Sequence, residues 1–279
     1  MFSGIEKDYN SMELSIITIN YNNLEGLQKT INSVVSQTWR NFEWIVIDGG
    51  STDGSKELIE KYQDHFTYWC SEPDKGVYNA MNKGIAKAGG EFLLFMNSGD
   101  MFVDERVIDE FISAGWSEDY ITGDVILDGD VTRIMTYPDE KDMDLDYMRH
   151  GVLCHQSSFI HRSLFTRYGV YDETMHIAAD WKFALEVIII HGCDYRHWNR
   201  IVADYATDGI SGIVENQCLH WQERAKVLSQ YSRIIRSINK RDKRIQELDL
   251  PIMVILRRKA LAKLKKWMGV ARMFSVQSD

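Results

Sequence analysis

The chain has 279 residues, of which 44% are hydrophobic and 11% aromatic, with a formal charge of −9. This content is ample for a core and excludes a disordered chain, and no apolar run reaches the ~18 residues needed to span a bilayer. The charge is uneven: residues 224–279 carry 15 Lys and Arg against 4 Asp and Glu, so an acidic body ends in a basic tail. Residues 14–19 (Leu-Ser-Ile-Ile-Thr-Ile) predict a first strand, ending at Asn20-Tyr21-Asn22-Asn23. Leu27, Ile31, Val34 and Val35 recur at helical spacing over 24–37. A second strand over 42–47 runs into Asp48-Gly49-Gly50-Ser51-Thr52-Asp53-Gly54, and a second helix covers 55–62. Strand and helix alternating through short loops imply parallel strands joined by right-handed crossovers.

A third strand is predicted at 67–70. The turn Glu72-Pro73-Asp74-Lys75-Gly76 precedes a helix over 77–88, which Gly89-Gly90 terminates. Phe92 to Met96 is a continuous apolar run, as expected of a strand covered on both faces, and it stops at Asn97-Ser98-Gly99-Asp100. Beyond lie a helix over 103–114, and a hairpin of 120–127 with 131–135 around Asp128-Gly129-Asp130. Residues 152–160 are less regular and unusually polar. A short helix at 164–168 follows, then a helix over 178–190, a strand over 194–204, and a Gly-rich stretch at 208–212. From Asn216 the chain reads as nearly continuous helix, broken at 248–251. The predicted organisation is an α/β domain over 1–215 with a helical extension over 216–279.

Asp48, Asp74, Asp100 and Asp180 each follow a predicted strand or open a helix. Taken singly, each reads as a cap or turn residue: Asp48 as an Asx-turn, Asp100 as the N-cap of the helix over 103–114, Asp180 as the cap of the helix over 178–190. Taken together, their recurrence at the carboxyl ends of successive strands predicts a shared cleft, where open α/β sheets place their ligands.

These motifs in this order resemble the inverting family 2 glycosyltransferases of the GT-A fold, and among them the bacterial enzymes of exopolysaccharide, capsule or O-antigen assembly. The likeness is strong over 14–100 and weaker to about 212. It implies a Rossmann-like, mostly parallel sheet with helices on both faces and a nucleotide-sugar donor with a UDP moiety. It assigns Asn20, Tyr21 and Asp48 to the nucleoside, and Asp74 and Lys75 to ribose, base or phosphate. The stretch ending at Asp100 corresponds to the family's Asp-x-Asp metal motif, with Ser98 at the first acidic position. Asp100 is then the direct ligand of Mg2+ or Mn2+, a cation that neutralises the departing diphosphate. Asp180 falls where family members carry the base, although the acid that usually precedes it is Ala179 here. His155 and Gln156 match a His-Gln segment lining the donor or acceptor pocket, with a buried structural histidine as the other reading. Trp181 reads equally as core or as sugar platform. A sugar nucleotidyltransferase would need a Gly-rich loop bearing Arg or Lys after the first strand, and residues 20–26 have neither cation. A sugar-nucleotide-binding protein without catalysis stays open on the strength of Ser98 and Ala179.

The last predicted helix, from Pro251, sets Met253, Leu256, Ala260, Leu264, Trp267, Ala271 and Phe274 on one stripe, with most of its basic residues outside it. That composition suits the surface of an anionic membrane, where a polyprenyl-diphosphate-linked saccharide acceptor would reside. The alternative is packing on the acidic body or a homodimer contact. No nucleic-acid reader motif is present. Four scattered cysteines without a Cys-x-x-Cys pair, and no signal peptide, point to free thiols. The expected location is the cytoplasm, or peripherally the cytoplasmic face of the inner membrane.

Overall fold

The computed structural model describes residues 13–128, 132–206, 214–232 and 234. The chain divides into two units, Met1–Val227 and Leu228–Asp279. The Gly-rich stretch at 208–212 and the apolar stripe from Pro251 lie outside the described residues. In chain order the first unit begins β1 (Leu14–Asn20), α1 (Leu24–Val35), β2 (Glu43–Asp48), α2 (Ser55–Lys61), β3 (Tyr68–Ser71), α3 (Val77–Lys87) and β4 (Phe92–Phe95). It continues with β5 (Met101–Phe102), α4 (Val107–Ala114), β6 (Tyr120–Asp128), β7 (Arg133–Met135), α5 (Leu145–His150) and β8 (Ser158–His161). Last come α6 (Arg162–Tyr168), α7 (Ala179–Ala184), β9 (Tyr195–Ala206) and α8 (Val214–Gln230), which runs past Val227.

One sheet, ordered β3-β2-β1-β4-β8-β6-β9-β5 with β7 on β6, holds the unit together. The first four strands are mutually parallel. β8 then pairs antiparallel with both β4 and β6, β6 and β9 are parallel, and β5 closes the order antiparallel to β9. β1 lies between β2 and β4, and all seven of its residues are buried. Alternation along β1 separates the two faces. Leu14 and Ile16 join Leu27, Ile31 and Val34 of α1 and Ile59 of α2 in one cluster. Ile17 points the other way, against α3, where a Cβ on Gly84 would stand 2.4 Å from Ile17 Cγ2. Helices therefore cover both faces, and each large side chain buried there contributes ~1.5–3 kcal/mol.

Helix α5 has no counterpart in the sequence expectation, and two further elements differ from it. The helix predicted over 103–114 begins only at Val107, because Met101–Phe102 pairs with β9 instead. Asp100 is therefore not its N-cap. The helix through 190 starts as α7 and widens to π-helical hydrogen bonding over Leu185–Ile190. Among the described residues no helix is long and apolar enough to cross a membrane. All four cysteines are free.

Candidate functional site

Three loops meet at the carboxyl ends of β1, β2 and β4. Gly49 N–H donates to Asn20 O (2.9 Å) and Ser98 N–H to Ile19 O (3.0 Å), extending both pairings beyond the strands. Thr30 on α1 fixes the third loop: its hydroxyl donates to Asp100 O (2.7 Å) and accepts from Gly99 N–H (3.0 Å). Asn23 Nδ2 donates to Ser98 O (3.0 Å), tying the β1 loop to the same turn.

Asp48 is completely buried and its carboxylate is crowded with protein donors. Oδ1 accepts from Asn20 Nδ2 (2.7 Å) and Ser51 Oγ (2.5 Å). Oδ2 accepts from Ser71 Oγ (2.6 Å), Ser51 N–H (2.9 Å) and Gly50 N–H (3.2 Å). Burial pushes its pKa up, and the Ser51, Ser71 and Asn20 donors more than offset that, holding it below the usual aspartate value. Five donors saturate a carboxylate. Asp48 forms the Asx-turn of its alternative reading and shapes the loop from inside.

Asp74 is placed differently. Its Oδ1 accepts from Gly76 N–H (2.8 Å), while Oδ2 occupies the space a side chain at position 49 would need: a Cβ on Gly49 would lie 2.6 Å from Asp74 Oδ2 and 3.1 Å from the Tyr21 ring. Tyr21 is 65% exposed. Gly49, which the sequence presents only as a turn residue, thus brings a carboxylate and an aromatic face together. Lys75 is exposed in the same turn.

The third carboxylate, Asp180, sits in the first turn of α7 with its side chain 23% exposed. Tyr78 Oη on α3 (3.0 Å) and its neighbour Trp181 N–H (2.9 Å) donate to Oδ1, and His155 Nδ1 lies 3.2 Å from Oδ2. His155 Nε2 is in turn 2.8 Å from Asn97 Nδ2. Neutral His155 satisfies both contacts by donating from Nδ1 to the carboxylate and accepting at Nε2 from the amide. Burial raises the Asp180 pKa, but the His155 contact and the other donors win, and the net direction is down. Tyr78 is displaced well upward by burial and by the neighbouring carboxylate, so it stays a donor. The chain Asn97–His155–Asp180 links the turn after β4 to α7. Tyr78 escaped the sequence reading, and so did the contact of Asn97 with His155, because these partners meet only across 102 and 58 residues.

Two expected pocket residues are buried. Trp181 is 2% exposed, donates from Nε1 to Met148 O (2.8 Å) and lies beneath the Arg224 guanidinium, so it is core and offers no sugar platform. Gln156 is likewise buried, at 2% exposure, in the 3-10 turn His155–Ser157.

Among the described residues no group of three His, Cys, Asp or Glu could hold a metal ion. The turn after β4 does offer hard oxygen: the Asp100 residue is 4% exposed, and Asn97 Oδ1 is buried without a hydrogen-bond partner. This set fits a Mg2+ or Mn2+ ion that takes its other ligands from phosphate and water.

Residues 15–169 match the protein-family model described as Glycosyl transferase family 2. A Mycobacterium tuberculosis protein named as an uncharacterized glycosyltransferase is 34% identical over 211 residues, 71% of this chain and 76% of that one. A Mycobacterium bovis protein named PGL/p-HBAD biosynthesis glycosyltransferase is 29% identical over 197 residues, covering 68% and 75%. The fold is similar to S. aureus TarS 1-349, with a TM-score of 0.60 and 18% identity over 70% of this chain and 61% of that one. It is also similar to a Pyrobaculum calidifontis mannosyltransferase in complex with GDP-Man and Mn2+, with a TM-score of 0.61 and 14% identity over 81% of this chain and 65% of that one.

Proposed function

The chain belongs to glycosyl transferase family 2 and is a glycosyltransferase of GT-A fold, and on that premise we propose that it moves a sugar from a UDP-linked donor, with inversion, to a saccharide on a lipid carrier. The observation that carries the reading is the hydrogen-bonded chain from the turn after β4 through His155 to Asp180. It ties the carboxylate to the turn that ends at Asp100, which supports a cleft shared by the two. The donor lies across the carboxyl ends of β1, β2 and β4. Tyr21 and Asp74 meet the base, since Asp74 Oδ2 is suited to accept from a ring N–H. Asn20 and Asp48 hold the loop that carries them, and Lys75 is a mobile cation for ribose or phosphate.

Asp180 takes the proton of an acceptor hydroxyl as that oxygen bonds the anomeric carbon. The bond from that carbon to the diphosphate oxygen breaks at the opposite face, and the electron pair leaves with the nucleoside diphosphate. Asp100, with Asn97 and Ser98 in the same turn, would hold a divalent cation. Bound there, Mg2+ or Mn2+ supplies charge neutralisation on the leaving group.

The S. aureus TarS 1-349 fold also carries UDP-GlcNAc in a complex, which supports a UDP donor here. The basic tail supports docking on anionic lipid. A panel of nucleotide-sugars is tested by thermal shift with Mn2+, where binding stabilises in proportion to the logarithm of ligand excess. A UDP-sugar should give the largest shift, and Asp100→Ala should remove the Mn2+-dependent part of it. A larger shift with a GDP- or ADP-sugar would rule out the UDP assignment. Deleting residues 251–279 should release the protein from anionic vesicles in a flotation assay; continued flotation refutes the tail's role.

A further inference from the structure

Helix α7, which carries Asp180, begins without help from its own sequence. Its N-cap is Ala178, whose side chain makes no capping bond. The amides entering the helix are met instead by one carboxylate on α8. Glu223 accepts from the backbone N–H of His176 (2.7 Å), Ile177 (3.1 Å) and Ala178 (3.1 Å). A capping Asp or Ser commonly satisfies a single amide, and bonds to a charged acceptor are stronger.

The next residue, Arg224, is 1% exposed. Its guanidinium lies 4.4 Å from the Trp181 ring centroid and 4.9 Å from that of Trp221, and its Nη2 donates to Met148 O (2.7 Å) and Gly151 O (2.9 Å). Met148 O also accepts from Trp181 Nε1. An apolar side chain would cover Trp181 without the cost of burying a cation. Only a planar fork joins two carbonyls to a ring face. Burial pulls the Arg224 pKa down to about 10.

Asp180 therefore lies in an arc held on both sides by neighbouring residues of α8. Glu223 grips residues 176–178 before it, and Arg224 grips Trp181 after it together with the chain entering the His155 segment. We propose that Glu223 and Arg224 are positioning residues for sugar transfer, setting the angle at which α7 presents Asp180 to His155, Tyr78 and the acceptor. The proposal rests on Asp180 being the base.

The test compares full-length Glu223→Ala, Glu223→Gln, Arg224→Lys and Asp180→Asn, each checked for folding by circular dichroism. Aspartate carboxyl carbons are labelled with 13C, and the Asp180 signal is assigned by its loss in Asp180→Asn. In Glu223→Ala the Asp180 carboxyl should titrate at higher pH than in the parent, because its donors fall out of register. Glu223→Gln keeps an acceptor oxygen and should stay near the parent, while Arg224→Lys should shift in the same direction as Glu223→Ala. UDP affinity in Mn2+, measured by calorimetry, should change less than about twofold, and the rate of UDP release from the best-bound UDP-sugar should fall about tenfold or more in Glu223→Ala. Added to Asp180→Asn, Glu223→Ala should lower the rate no further, as expected of a residue acting through Asp180.

A parental Asp180 titration in folded Glu223→Ala overturns the proposal. So does a loss of UDP affinity in step with the titration change, which marks general loosening. Should Glu223→Ala not fold, the Arg224→Lys titration decides by the same criterion. Near-normal turnover in Asp180→Asn would instead remove the base assignment, leaving the α8 contacts structural.

Discussion

The two ends of the site are built by different means. On the β1–β4 side, short loops follow parallel strands, and side chains such as Asn20, Asn23 and Asp48 find partners in an adjacent loop. Asp48 is the extreme case, with five donors and no exposure. On the α7 side, Asp180 has three donors and keeps a quarter of its side chain open, and those donors come from α3, from the turn before β8 and from its own helix. A carboxylate fully enclosed by donors is suited to holding a loop. One held by fewer donors and still reachable is suited to receiving a proton.

If that contrast is right, substitutions at the two carboxylates should fail differently. Asp180→Asn should lower turnover about 10²–10⁴-fold, the usual worth of a general base, while UDP affinity by calorimetry stays within about twofold. Retained turnover, or lost affinity, would erase the distinction. Asp48→Ala should do the reverse of a catalytic lesion. It strands buried donors at ~1–3 kcal/mol each, partly relieved by rearrangement, so about 3 kcal/mol of stability and roughly 10 °C in Tm should go. Asp74→Asn sharpens the comparison within the nucleotide side. Asp74 does not hold a buried network, so Tm should hardly move. UDP affinity should fall about tenfold and CDP should gain relative to UDP, since an amide can donate where a carboxylate only accepts. An unchanged UDP-to-CDP ratio would take Asp74 away from the base.

The same contrast explains what the sequence revealed. The parallel half was legible because apolar runs such as Phe92–Phe95 end abruptly at polar turns, and strand ends in a parallel sheet are neighbours by construction. Asp100 as a cap was a local inference, and it failed because Met101–Phe102 found a strand partner a hundred residues later. The α7 side depends on such distant pairings throughout. Nothing local marks Tyr78 as a donor to Asp180, and Glu223 and Arg224 read only as charges on a surface helix. Trp181 was ambiguous because an aromatic beside a candidate base fits both core and platform. The buried guanidinium over its ring resolves that in favour of core.

The smallest effect concerns His155, which sits between the two sides. Burial alone would raise the Asp180 pKa, and His155 is the leading contributor that brings it below the ordinary aspartate value. In the parent the base form therefore persists as pH falls, and the acid limb of kcat/KM, which reports the free enzyme, should lie below that of an ordinary aspartate. Removing the imidazole in His155→Ala takes away its contact with the carboxylate, leaving burial opposed only by Tyr78 and Trp181 N–H. The Asp180 pKa then rises, and the acid limb should move to higher pH, with only a modest loss of rate on the alkaline side. The linked stability runs the same way. A carboxylate with a depressed folded-state pKa stabilises the fold above its unfolded value and loses that contribution as pH falls through the folded one. His155→Ala should therefore narrow the Tm difference between pH 6 and pH 3 relative to the parent. An acid limb that stays in place while Tm drops equally at both pH values would show His155 to be packing alone, and the bridge between the two sides would then carry no charge coupling.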